Sequence, residues 1–94
     1  MNMDYGMHDE LIKIMNKLSA KDPALYNSIL NKIDEIVNSE FLDHYKNLTA
    51  PFQEFKRVHI TEQFVLIFKV DKQNNKIIFR YFDHRDKIYK KMYD

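Results

Sequence analysis

Ninety-four residues with 45% apolar content, one glycine, no cysteine and a formal net charge of +1 bound a single small globular domain, residues 1–94. A chain this short buries roughly 60–65% of its unfolded surface, so its core is thin. Disulfides, thiolate metal sites and glycine-rich phosphate loops are excluded. No apolar run reaches the ~20 residues of a membrane span and no signal peptide is visible, so a cytoplasmic location without membrane contact is expected.

The charge is unevenly placed. Residues 1–43 carry four Lys and eight Asp/Glu, and residues 44–94 carry eight Lys, three Arg and six Asp/Glu. Arg57, Arg80 and Arg85 all lie in the basic half, with three of the four histidines. This polarity favours an anionic partner for the second half.

In chain order, Met3-Asp4-Tyr5 can supply a short edge strand. Residues 8–19 then read as a helix, with Leu11, Ile14, Met15 and Leu18 at helical spacing. A turn at Ser19-Ala20-Lys21 leads to Asp22, an N-cap, and Pro23 at the first helical position. Leu25, Ile29, Ile33 and Ile36 stripe a second helix to about residue 38, so the two helices form an antiparallel hairpin. Residues 39–53 lack a period, and Pro51 argues for a loop.

From Phe55 the period becomes two. Val58 and Ile60 turn to the core, and Phe55, Arg57 and His59 turn away from it. Phe64–Val70 is apolar on both faces, which predicts a covered central strand. A polar turn over residues 71–75 leads to a strand over Ile77–Phe82. Consecutive strands with short links predict an antiparallel meander. The fold class is therefore α+β: an N-terminal helix hairpin packed on a small twisted antiparallel sheet of three to four strands.

Strand alternation also collects candidate site residues. Arg57 and His59 share the outward face, and Arg80, Phe82 and His84 alternate in the same way on the last strand. With both rows outward, this sheet surface would hold two Arg, two His and an aromatic, rimmed by Lys46, Lys56 and Arg85. Arginine grips phosphate, histidine moves protons near neutral pH, and aromatics stack on unpaired bases. The plainer alternative is a solvent-facing sheet with cross-strand charge pairs. Tyr89 can stack on a base or act as a phenol acid, or Ile88-Tyr89 can simply dock the tail on the core. A metal site at Asp83-His84 is disfavoured, because strand neighbours point to opposite faces.

Three motifs carry a family resemblance. Leu48-Thr49-Ala50-Pro51 precedes the basic strand Phe55-Lys56-Arg57-Val58-His59-Ile60. Phe64-Val65-Leu66-Ile67-Phe68-Lys69-Val70 follows as a central apolar strand. Asp83-His84-Arg85-Asp86-Lys87-Ile88-Tyr89 closes the series. In this order and spacing, after a helix hairpin, they resemble the RelE toxins of type II toxin–antitoxin systems over roughly residues 8–89. The resemblance implies a toxin that enters the ribosomal A site and cuts mRNA without a cofactor or metal, by attack of a ribose 2′-hydroxyl on the adjacent phosphate. It implies a RelB-like antitoxin as partner. Carried over by position, Arg57, His59, His84, Arg85 and Tyr89 are the expected catalytic residues. Lys46, Lys56, Arg80 and Lys87 are the expected RNA-binding cations. The chain departs from the family at Val65, where an Arg usually follows the first aromatic of the central strand. Two alternatives stay open: a gyrase inhibitor of the related ParE branch, and a catalytically weak homologue that mainly binds its antitoxin.

Overall fold

A computed structural model describes residues 3–93. Its first element is a short strand, β1 (Asp4–Met7), on the edge of the sheet. Helix α1 (Asp9–Lys21) starts where the His8 ring nitrogen accepts the Glu10 N–H at 3.3 Å, with Asp9 and Glu10 on the positive end of the helix dipole. Asp22 ends α1 and starts α2 (Pro23–Val37): its N–H donates to the Leu18 carbonyl at 2.8 Å, and its side chain accepts the Leu25 N–H at 3.1 Å. One residue thus caps both helices, and the hairpin follows as the sequence implies.

After a one-turn 3₁₀ helix (Leu42–His44), three strands follow: β2 (Phe55–His59), β3 (Phe64–Asp71) and β4 (Lys76–His84). The sheet order is β1-β4-β3-β2, with β2, β3 and β4 antiparallel. The expected all-antiparallel sheet needs one correction. Strand β1 pairs parallel with β4, which makes the sheet mixed. The cause is topological: the chain returns to β1 only after the whole hairpin and two strands. Edge strand β1 spans Asp4–Met7 rather than Met3–Tyr5.

Two clusters hold the layers together. Leu11, Met15, Ile29, Ile33 and Ile36 of the hairpin pack on Leu66, Phe68, Ile77, Phe79 and Phe82. On the opposite face, Val65 and Ile67 meet Leu48 from the long loop and Ile88 from a third helix, α3 (Arg85–Tyr93). The apolar run Phe64–Val70 calls for cover on both sides, and these clusters supply the two covers. The sheet surface expected to face solvent is instead crossed by α3. Ile88 is fully buried there, which stabilises the docked helix by about 1.5–3 kcal/mol.

A bulge in β4 overturns a second expectation. Ile67 pairs with Tyr81 and Phe68 pairs with Phe79, so Arg80 is the extra residue. One inserted residue breaks the two-residue period and flips every side chain beyond it. Phe82 therefore joins the hairpin-side core, 4% exposed, and Tyr81 turns to the α3 face. Arg80, Phe82 and His84 do not form one outward row.

Candidate functional site on the α3 face

Strand β2 sets the geometry. Phe55, Arg57 and His59 stand on the face that α3 crosses, while Lys56 and Val58 stand on the hairpin side. The register places Arg57 in line with Ile67 and Tyr81, and His59 in line with Val65 and Asp83. The Arg57 N–H donates to the Lys46 carbonyl at 2.9 Å, pinning the strand to the loop. From α3, Tyr89 reaches the same place. Arg57 Nη1 donates to the Tyr89 hydroxyl at 3.4 Å, a long bond. Arg57 Nε is buried and has no hydrogen-bond partner. An unpaired guanidinium nitrogen under cover is costly, so an anion arriving here meets a donor already stripped of water.

His59 lies two residues from Arg57 on the same strand face, about 7 Å along the chain, and is exposed. Arg57, His59 and Tyr89 are thus the expected catalytic residues that the fold brings to one face. His84 is not among them. It lies past the bulge on the other side, packed edge-on against Phe64 with ring centroids 5.6 Å apart. Its Nδ1 accepts the Asp86 N–H at 3.2 Å, so it starts α3 as a cap. Arg85 opens α3, its side chain 51% exposed, with Nε 3.9 Å from the Asp86 carboxylate.

The expected RNA-binding cations divide as well. Lys46 and Lys87 are exposed. Lys56 is a correction: it is 9% exposed, and its Nζ donates to the Tyr45 carbonyl at 3.2 Å and to Asn47 Oδ1 at 3.0 Å. Its neighbours Arg57 and Phe55 point the other way, so alternation turns Lys56 under the loop, where it fastens residues 45–47. Arg80 sits on the α3 face, held by Glu10 at 3.0 Å and by His8 at 3.3 Å. Val65, where the family usually has Arg, is buried beside Ile88 and Leu48.

Several residues here escape a reading of the sequence alone. Glu10 bridges two cations: its carboxylate oxygens lie 3.0 Å from Arg80 Nη1 and 3.5 Å from Lys91 Nζ. The Arg80 hydrogen bond, with a smaller part from Lys91, holds the Glu10 carboxyl below the usual carboxylate range. Lys91 also stacks over the Tyr81 ring, 4.0 Å from its centre. Tyr81 donates to Asp83 Oδ2 at 2.9 Å. Burial first, then this bond and the Asp83 charge, push the Tyr81 phenol up to about 12. Tyr81 is therefore a fixed, protonated group. The signal that was present is Ile88: a helix that buries it brings Lys91, three residues on, to the same side.

A Methanocaldococcus jannaschii protein named "Putative toxin RelE4" is 51% identical over 81 residues, 86% of this chain and 84% of that protein. The chain belongs to the RelE family of toxins. Solved structures agree on the fold of this RelE-family chain. The Escherichia coli toxin RelE, as a free-state variant, superposes with a TM-score of 0.72 at 11% identity, covering 99% of this chain and 96% of that one. An archaeal RelE–RelB complex from Pyrococcus horikoshii gives a TM-score of 0.66 at 15% identity, covering 90% and 97%. No family model matches the sequence.

Proposed function

We propose that the α3 face is an RNA-cleaving site, and that this RelE-family chain inhibits translation by cutting mRNA in the ribosomal A site. The observation that carries the reading is the Arg57–Tyr89 pair, with its buried, unpartnered Nε beside exposed His59. A phosphodiester needs a donor set for its developing charge and a group that handles protons. Arg57 supplies the first. His59 supplies the second, as an exposed imidazole on the same face.

In the reaction, the ribose 2′-hydroxyl gives up its proton to a base and its oxygen bonds to phosphorus. The bond from phosphorus to the 5′-oxygen breaks, and that oxygen takes up a proton. A 2′,3′-cyclic phosphate and a 5′-hydroxyl remain. Arg57 holds the charge on the five-coordinate phosphorus, His59 serves proton transfer, and Tyr89 orients the phosphate or donates to the leaving oxygen. The partner that restrains this activity is a RelB-like antitoxin, the kind of protein bound in the Pyrococcus horikoshii RelE–RelB complex.

A second reading has specific support. Lys56 is buried, His84 caps a helix, and Val65 replaces a cation with packing. These features take His84 from the expected catalytic set and Lys56 from the expected RNA-binding set, leave no cation at position 65, and favour a slow enzyme that chiefly binds its antitoxin. Inducing the protein in cells while mapping mRNA ends and DNA supercoiling separates the readings. Cuts phased with codons support RNA cleavage. Supercoiling defects with intact mRNA point to gyrase, and growth without either points to the antitoxin-binding role.

A further inference from the structure

A small cavity lies on the α3 face, beside the Arg57–Tyr89 pair. Its volume is about 240 Å³, and Phe52, Phe55, Tyr81, Arg80 and Lys91 line it. Three of its five walls are aromatic, and they come from three separate places: the long loop, β2 and β4. Phe52 and Phe55 are joined by one turn, the Phe55 N–H donating to the Phe52 carbonyl at 2.9 Å, and the fold brings Tyr81 to them from β4. Sites for drug-sized ligands run to roughly 300–1,000 Å³. A cavity below that range suits one ring system.

The cations on its rim are held in place. Arg80 faces the cavity by simple alternation with Phe79, whose side chain joins the hairpin-side core, and Glu10 fixes both Arg80 and Lys91 there. Both contacts of the Arg80 guanidinium use Nη1. Among the described residues, its Nε and Nη2 donate to no protein acceptor, so they stay available to the edge of a ligand. Two cations share one carboxylate, which leaves the rim net positive.

We infer that this cavity is a nucleobase subsite, taking one unpaired RNA base that flanks the phosphate cut at Arg57. The inference rests on the RNA-cleaving reading of the neighbouring pair. Phe55 precedes Arg57 by two residues on one strand face, about 7 Å, a spacing of one nucleotide step. The base stacks on Phe55 and Phe52, and Arg80 and Lys91 meet its acceptor edge or the adjoining phosphate. Stacking on aromatic rings tolerates every base, because each has a π-face. The subsite therefore registers a nucleotide beside the cut and leaves its identity to the Arg80 edge contact.

The test uses the full chain acting on mRNA-programmed ribosomes. A single abasic ribonucleotide is placed in turn on each side of the cut position, and kcat/KM is measured for the native protein, Phe52→Leu and Phe55→Leu. Leucine keeps the apolar packing while removing the stacking ring. Circular dichroism confirms that the variants are folded. One abasic position should lower native cleavage by roughly 5- to 150-fold, the range for loss of one stacked base. Phe55→Leu should lower cleavage of intact RNA comparably and show no further loss at that abasic position. Equal abasic effects in native and variant proteins would overturn the subsite while leaving RNA cleavage intact. Weakened antitoxin binding without that coupling would also overturn it, and would reassign the cavity to a protein side chain. Absence of cleavage by the native protein would instead remove the RNA reading and the subsite with it.

Discussion

Arg57 Nη1 lies 3.4 Å from the Tyr89 hydroxyl, and the contact joins the outer strand β2 to α3, 32 residues further along the chain. The strand fixes the guanidinium, and the helix fixes the phenol. Because Ile88 is fully buried, the residue after it is held against the sheet with little freedom to swing away. Two groups from unrelated segments thus meet on rigid mounts, which is what a phosphate site needs.

Tyr89→Phe keeps the ring and removes the oxygen. If the phenol orients or protonates the scissile group, kcat should fall roughly 10- to 100-fold, near the low edge of the effect of a positioned acid. KM should change little, because the ring still offers its stacking face. Steady-state cleavage of ribosome-bound mRNA provides both constants. A drop in stability with unchanged kcat would place Tyr89 in the packing alone.

Lys56 fastens the loop over residues 45–47 to β2. Lys56→Met keeps the stem and removes the ammonium, leaving the Tyr45 carbonyl and Asn47 Oδ1 without their donor. The expected cost is about 1–3 kcal/mol of unfolding free energy, read from urea denaturation. Cleavage per folded molecule should stay within about twofold. A tenfold loss of kcat/KM in a fully folded variant would restore Lys56 to the RNA-binding set.

Glu10 gives stability a pH signature. Its carboxyl titrates below the ordinary range of about 4.3 because Arg80 and then Lys91 favour the charged form. A lowered folded-state value means stabilisation that is present in full above the unfolded value. It is lost as pH falls through the folded one. The side chain is 42% exposed, so solvent screening keeps the contribution within roughly 0.2–1 kcal/mol. Glu10→Gln should therefore destabilise the protein slightly at pH 7 and not at all near pH 2. Denaturation midpoints at the two pH values decide this, and an equal penalty at both would contradict an ionic role.

Tyr81 should be a late titrator among the six tyrosines. Its phenol is pushed up to about 12, first by burial and then by the bond to Asp83. A raised value favours the neutral form, so its contribution to stability holds below about pH 10 and fades as pH rises through 12. Ultraviolet difference titration should show one phenol still protonated at pH 11. In Asp83→Asn that phenol should ionise earlier, because the negative neighbour is gone. No change in Asp83→Asn would leave burial as the whole cause.

The readable parts of this fold are those with a strong period. Asp22-Pro23 marks the hairpin turn, and the double-sided apolar run at Phe64–Val70 marks the central strand. The last strand misled because Arg80 sits on a bulge, and alternation cannot reveal an inserted residue. The bulge carries Phe82 and His84 to the hairpin side, where strict alternation does not put them. Lys56 misled differently: alternation with Val58 already turned it inward, but a lysine is rarely buried, so composition outweighed position. Helix α3 is short and highly charged, and its docking depends on Ile88 meeting Val65 and Ile67, contacts distant in sequence. The Val65 departure finds its reason there. An arginine at that position would have to displace the packing of Ile88 and Leu48 to reach Asp83, its cross-strand neighbour on β4.

Arg57 carries the proposal that the α3 face cuts RNA. The most direct measurement is cleavage of ribosome-bound mRNA by the native chain and by Arg57→Ala, with the chemistry of the new ends determined. The native protein should leave a 2′,3′-cyclic phosphate and a 5′-hydroxyl. Arg57→Ala should lose roughly 10²- to 10³-fold in kcat, the cost of removing one preorganised donor from a developing charge. Cleavage at an undiminished rate by a folded Arg57→Ala protein would contradict the proposal.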